Sequence, residues 1–133
     1  MNPSRIKPPL NEDNGWWWED VAKGRLSLQR CNACGKLRHP PRPMCPACRS
    51  MTWDSIEAAG KGTLHSYTVL HHPQFPGYEY PLTIAIVELE EGERICTQLV
   101  DCARDAIEID MKLEMIIHED ADGFKLPMCR PAV

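Results

Sequence analysis

The stretch "CNACGKLRHPPRPMCPAC", residues 31–48, limits what this chain can fold into more than any other part of it. Cys31-x-x-Cys34 and Cys45-x-x-Cys48 are separated by ten residues. Two residues between cysteines let both thiolates of one tight turn reach a single ion at about 2.3 Å, and a second turn completes a tetrahedron. Gly35, directly after Cys34, suits the left-handed backbone that turns N–H groups toward sulfur. Four soft thiolates select zinc over magnesium or calcium, while rubredoxin-type iron shares the same spacing. A shell of four cysteines has no open position for water or substrate, so the expected role of the metal is structural. A redox pair would need one CxxC at a strand–helix junction. A disulfide clasp fits poorly with seven cysteines, an odd number, in a chain expected in a reducing compartment. His39, between the pairs, is expected at the surface, since four cysteines leave it unneeded as a ligand. Cys96, Cys102 and Cys129 show no metal spacing, and Cys96 reads as a small apolar strand residue.

Charge is distributed unevenly. The net charge is −4, yet Lys23, Arg25, Arg30, Lys36, Arg38, Arg42 and Arg49 fall in a window with no acid. Zinc with four thiolates carries a formal charge of −2, from 2 − 4, so seven bases exceed what thiolate compensation needs. Some of them are expected to face outward.

Around this block the sequence reads as mainly β with a short N-terminal helical arm. Residues 1–14 look extended and proline-rich. Asn14 is placed to cap a helix that starts near Gly15–Trp16 and stops at Gly24. Trp16, Trp17 and Trp18 cannot share one helical face, because neighbours point about 100° apart. At least one ring is therefore expected away from the chain's own core, and the helix reads equally as one wrapped by the rest of the domain or as a docking surface for a partner. Three prolines in "GKLRHPPRPM" predict an extended, stiff connection. After the lead-in "TWDSIEAAGKG", five strand candidates follow: "GTLHSYTVLHH", "LTIAIVELE", "RICTQLVD", "KLEMIIHED" and "FKLPMC". Residues 103–111 read as a helical turn or a loop. Five short strands leave exposed edges as an open sheet, and closing into a small OB-fold barrel removes them. The expected division is an arm and helix at 1–28, a rubredoxin-like zinc ribbon at 29–52 and the OB-fold at 60–133.

Two function classes lose ground on these residues. Single-strand nucleic-acid binding needs aromatic platforms in a positive groove. The central candidates offer no aromatic residue and one base, Arg94, beside Glu88, Glu90, Glu91 and Glu93. For an enzyme acting alone, reactive types concentrate only in "LHHPQFPGYEYP", with His71, His72, Tyr78, Glu79 and Tyr80 and no complete catalytic set. That segment reads as a long turn-rich loop folded onto the barrel mouth, a usual place for binding. No apolar run approaches the length of a membrane span and the start has no apolar leader core, so a cytoplasmic, soluble chain is expected.

The order of a Trp-bearing helix, "LQRCNACGKLRHPPRPMCPAC", "GTLHSYTVLHHP", "PLTIAIVELEEGERICTQLV", "IDMKLEMII" and "LPMCRP" resembles the DUF35 family. The resemblance runs from Trp16 to Pro131. It implies a helical arm, a zinc ribbon and an OB-fold, with Zn on Cys31, Cys34, Cys45 and Cys48, and it carries over no catalytic residue to this chain. It also implies a small accessory subunit of a thiolase-fold enzyme acting on acyl-CoA, as in benzoylsuccinyl-CoA thiolase or the steroid side-chain aldolases. In that setting an α2β2 hetero-oligomer is expected, in which Trp16, Trp17 and Trp18 dock on the partner and the barrel braces its acyl-CoA channel. Arg38, Arg42 and Arg49 become candidates for CoA phosphates. His72, Phe75 and Tyr78 become candidates for a ligand, with a CoA thioester at the interface. Relatives often carry Gly where this chain has Asp110, which predicts a differently capped turn.

Overall fold

The computed structural model describes residues 5–133. Helix α1 spans Gly15–Ala22. Its start is set by backbone bonds: the N–H groups of Trp17 and Trp18 donate to the Asn14 carbonyl at 3.0 and 3.2 Å. The Asn14 side chain makes no cap. Its Oδ1 accepts from the Asn11 N–H and its Nδ2 donates to the Pro9 carbonyl, so it ties the arm to itself and leaves the helix uncapped. The helix ends through Gly24, at φ 82°, whose N–H donates to the Val21 carbonyl at 2.8 Å. Trp17 and Val21, four apart and so on one face, are both buried.

A three-stranded antiparallel sheet follows, made of β1 (Ser27–Cys31), β2 (Leu37–Arg38) and β3 (Trp53–Glu57) in the order β2-β1-β3. β1 runs its whole length against β3, from Ser27 opposite Glu57 to Cys31 opposite Trp53. The strand β3 lies within "TWDSIEAAGKG", expected above only as a lead-in. β3 is half-exposed along most of its length, so it lacks the two-residue alternation that marks a strand. The stiff connection also contributes two residues, β2, before its prolines begin.

The remaining strands are β4 (Lys61–Leu70), β5 (Leu82–Leu89), β6 (Arg94–Leu99), β7 (Lys112–Glu119) and β8 (Lys125–Pro131). They close into a barrel in the order β4-β5-β6-β8-β7, with one turn of 3-10 helix at Arg104–Ala106 before β7. Closure is tight at Gly62, where a Cβ would lie 2.4 Å from the Glu88 carbonyl oxygen of β5. It is loose between β6 and β8, which pair only at Gln98–Met128 and Leu99–Cys129. Pro127 has no N–H to offer there, and the Thr97 hydroxyl donates to its carbonyl at 2.7 Å. Asp110 sits at φ 69° and its N–H donates to the Leu64 carbonyl at 2.8 Å. The turn is therefore left-handed, the conformation that favours Gly and that Asp tolerates better than most residues.

Helix, small sheet and barrel share one core. Trp17, Val21, Leu26 and Leu28 pack in the same cluster as Leu64, Val87, Ile95, Leu113 and Cys129. The arm is strapped over the barrel: Arg5 pairs with Asp120 at 3.4 Å and donates to the Gln98 Oε1 at 2.9 Å, and Lys7 pairs with Asp122 at 2.7 Å. Among the described residues, no helix is long and apolar enough to cross a membrane.

Candidate metal centre

Two turns of near-identical construction bring the four cysteines together. In the first, the Gly35 N–H donates to the Cys31 carbonyl and the Cys31 N–H to the Lys36 carbonyl, both at 2.9 Å. In the second, the Arg49 N–H donates to the Cys45 carbonyl and the Cys45 N–H to the Ser50 carbonyl, again at 2.9 Å. The fourth position after each leading cysteine has a positive φ, 78° at Gly35 and 65° at Arg49. The four sulfurs lie within 4.8 Å of one another, with Cys31–Cys48 at 3.5 Å and Cys34–Cys45 at 3.6 Å. A tetrahedron of sulfurs about 2.3 Å from a zinc ion has edges of about 3.8 Å, so the two short pairs already match it and the wider separations need to close only by about an ångström.

The electrostatics also fit a dication. N–H groups of Cys34 and Ala33 hold the Cys31 thiol below its usual range. Those of Cys48 and Ala47 lower Cys45 to about 6. Cys48 takes a lowering N–H from Ser50, but the sulfur of Cys31, burial and the sulfurs of Cys34 and Cys45 push it up to about 12. A bound zinc would stabilise the thiolate form of its ligands and so oppose the upward push on Cys48. Four cysteines would close the shell and leave the ion holding the two turns.

The bases of the block divide. Arg42 and Arg49 are exposed, as expected. Arg38 is not: it is 1% exposed, which corrects the expectation that it faces outward. Its Nε donates to the Arg42 carbonyl at 2.9 Å, and Gln29, opposite it on β1, brackets Arg42 through that carbonyl and the Arg42 N–H. This clamp fixes the proline-rich segment that leads into Cys45. His39 is also corrected, from surface to half-buried, with its ring 5.3 Å from that of Trp17. Burial lowers its pKa from 6.5 to about 4.

The tryptophans each find a partner within the chain. Trp17 is buried and its Nε1–H donates to the Ser27 carbonyl at 2.8 Å. Trp16 stacks on Trp53 at 4.8 Å and Trp18 on Phe124 at 5.5 Å, both half-buried, so the expectation of a ring away from the core gives way to three rings resting on it. A cavity of about 380 Å³ lies between α1, the His39–Pro41 segment and the loose β6–β8 seam. Cys96 lines this cavity and is exposed on β6, contrary to its reading as an apolar strand residue. In the long loop, Phe75 is exposed while its N–H donates to the Tyr80 hydroxyl, and Tyr78 lies under the Arg5 guanidinium at 4.8 Å. His71 and His72 are exposed and do not converge with the metal centre. On the barrel, Arg94 pairs with Glu88 at 3.4 Å, so the one base of the central strands is already engaged.

A closed four-cysteine ribbon sharing its core with a five-stranded OB-fold barrel defines a ribbon–barrel protein whose metal is a scaffold. Residues 18–54 match the family described as "ChsH2, rubredoxin-like zinc ribbon domain", and residues 55–118 match "ChsH2, C-terminal OB-fold domain". A DUF35 domain-containing scaffold protein of Methanothermobacter thermautotrophicus is 38% identical over 77% of this chain and 79% of its own length. The chain belongs to the DUF35 family. It is also 49% identical, over 97% of its length, to a probable enoyl-CoA hydratase alpha subunit of Thermomonospora curvata, of which it spans 40%. Among solved structures, a chain of the "Ltp2-ChsH2(DUF35) aldolase" superposes with a TM-score of 0.91 at 49% identity, covering 96% of this chain and all of that one.

Proposed function

We propose that this chain is a non-catalytic accessory subunit that binds and steadies a thiolase-fold partner acting on acyl-CoA, in an α2β2 assembly within the cytoplasm. The observation that carries this reading is its likeness, along nearly the whole chain, to the ribbon–barrel component of a two-name aldolase. The residues agree with it. A metal closed by four cysteines offers no reactive position, and among the described residues the reactive side chains of the long loop do not converge on it. Trp16 and Trp18, half-buried beside Trp53 and Phe124, offer flat aromatic edges to a docking partner. Exposed Arg42 and Arg49 are the bases left to meet CoA phosphates, whereas Arg38 serves the ribbon from within. Arg49 occupies a backbone position that suits Gly, and the residue is exposed. His72, Phe75 and Tyr78 on the long loop are the candidates to approach the acyl group.

Tagged chain expressed in its native host, purified with zinc and analysed by mass spectrometry, should carry a thiolase-fold protein. CoA thioesters should be turned over only with that protein present. Robust turnover by the chain alone, or recovery of RNA or DNA in place of a protein, would overturn the reading.

A further inference from the structure

The backbone of β4 is satisfied on both sides only at its start. Gly62 and Thr63 lie between β5 and β7, and Lys61 pairs with Glu114 of β7 while its carbonyl accepts from the Glu90 N–H just beyond β5. Beyond the register shift between Leu64 and Ser66, pairing with β5 continues to Leu70, while no residue of β7 lies opposite. The ladder tells which groups point outward. The Leu89 N–H donates to the Glu93 carbonyl and its carbonyl accepts from Gly92, both at 2.9 Å, so Leu89 faces β6. Alternation along β5 then turns Glu88, Ile86 and Ile84 toward β4. Through the register, Ser66, Thr68 and Leu70 face β5, and Tyr67 and Val69 face outward. Leu64, the outward residue before the shift, behaves as this requires: its N–H donates to the Met111 carbonyl at 3.0 Å and its carbonyl accepts from Asp110 at 2.8 Å. Among the described residues, the N–H and C=O groups of Tyr67 and Val69 meet no partner.

Open edges are usually blunted by lysine, proline or inward charge. Ser66–Leu70 has none of these, and Tyr67 is 41% exposed. The irregularity at His65 does not protect the edge, because the unpaired segment begins just beyond it.

We propose that this edge pairs antiparallel with the same edge of a second copy, about a twofold axis through Thr68. Tyr67 then faces Val69 of the other copy at both ends, each pair exchanging N–H···O=C bonds in both directions. Thr68 meets Thr68 at the centre, as a close pair whose backbone bonds are already given to β5. Aromatic–β-branched and Thr–Thr pairs are both favourable across strands. Centring on Tyr67 would draw the irregular His65 into the ladder, and centring on Val69 would draw in His71 of the loop. Thr68 is the centre that keeps every paired residue in regular strand. In this register the segment meets its own copy with a favourable pair at each of the three positions, so a second copy of the chain is a sufficient occupant. The contact is short, so the dimer is weak and reversible. It does not depend on the acyl-CoA partner proposed above.

Sedimentation equilibrium of the zinc-loaded full chain, alone and over a concentration series, reads this directly. The expected result is a concentration-dependent rise in mass from one chain toward two. Thr68→Lys places like charges opposite each other and should raise the dissociation constant by at least about tenfold; Thr68→Asp should do the same. Mixing the two variants should restore the dimer, which a folding defect would not. Tyr67→Pro, which removes an outward N–H and leaves the β5 ladder intact, should abolish it. A chain that stays monomeric at millimolar concentration, or a dimer indifferent to all three substitutions, overturns the proposal. So does a monomeric chain whose partner subunit is lost on Thr68→Lys, since the edge would then belong to that partner.

Discussion

Gly62→Ala is a severe test of the barrel's closure. The new Cβ would stand 2.4 Å from the Glu88 carbonyl oxygen and 2.9 Å from the Val87 Cγ1. Ordinary carbon–oxygen contacts lie near 3.3 Å or more, so about 0.9 Å must be found. The Val87 methyl can shift a little. The Glu88 oxygen belongs to the backbone of β5, in the stretch where the two strands are in register, and cannot swing aside as a side-chain terminus would. Overpacking costs about 1–3 kcal/mol, and a backbone obstacle places this case at about 2–3 kcal/mol. For a chain of this length each kcal/mol moves Tm by about 3–5 °C, so a fall of about 6–15 °C is expected. Gly15→Ala is the control. Nothing lies within 4 Å of its Cβ position, at the start of α1, and the change should stabilise by up to about 1 kcal/mol. Urea titration followed by tryptophan fluorescence, at saturating zinc, compares the three chains. If Gly62→Ala lies within about 0.5 kcal/mol of the wild type, the range usual for an uninvolved surface substitution, β4 and β5 are not packed as described.

Three further outcomes follow from the ribbon and its surroundings. Burial holds His39 at about 4, below the 6.5 of the unfolded chain, so the folded state binds fewer protons between these values. Its contribution is therefore complete above pH 6.5 and is lost as pH falls toward 4, by up to about 3 kcal/mol. His39→Leu should flatten that part of the stability curve, and since acid release of the metal is common to both chains, their difference isolates the histidine. Arg49 holds φ 65° where the matching turn has Gly35, so Arg49→Gly should stabilise the zinc-loaded chain by about 1 kcal/mol in the same titration. Chelation should remove one zinc per chain, and because structural zinc contributes on the order of 10 kcal/mol, near-ultraviolet circular dichroism should show loss of barrel packing along with the ribbon; a barrel unchanged after chelation would separate the two.

What could be read from the chain depended on how local its causes are. The metal set was legible because CxxC spacing is itself the geometry of a turn. The five barrel strands were legible because each carries its own apolar signal. β3 was not, since it is half-exposed and its pairing with β1 is a tertiary event. Asn14 looked like a helix cap by position, but its side chain is claimed by Asn11 and Pro9 in the arm. Arg38 and His39 misled for one reason: the chain's own folding covers them, Arg38 through the Arg42 backbone and Gln29, His39 through Trp17. No neighbour in sequence announces either contact. The tryptophans were correctly denied a single face, yet Trp53 and Phe124, distant in sequence, supply rings for the two that α1 turns away from the buried face.

The core common to α1, the small sheet and the barrel bears on how this family can be dissected. The matches at residues 18–54 and 55–118 suggest two parts that could be handled separately, and the packing denies it. Cutting between them would strip Trp17, Val21, Leu26 and Leu28 from the barrel residues they cover and leave an apolar face on each fragment. A ribbon exchanged between relatives would have to bring its half of that contact along. The zinc, some distance from any barrel strand in sequence, is thereby a fastening for the whole chain, and its loss would be felt at surfaces it never touches.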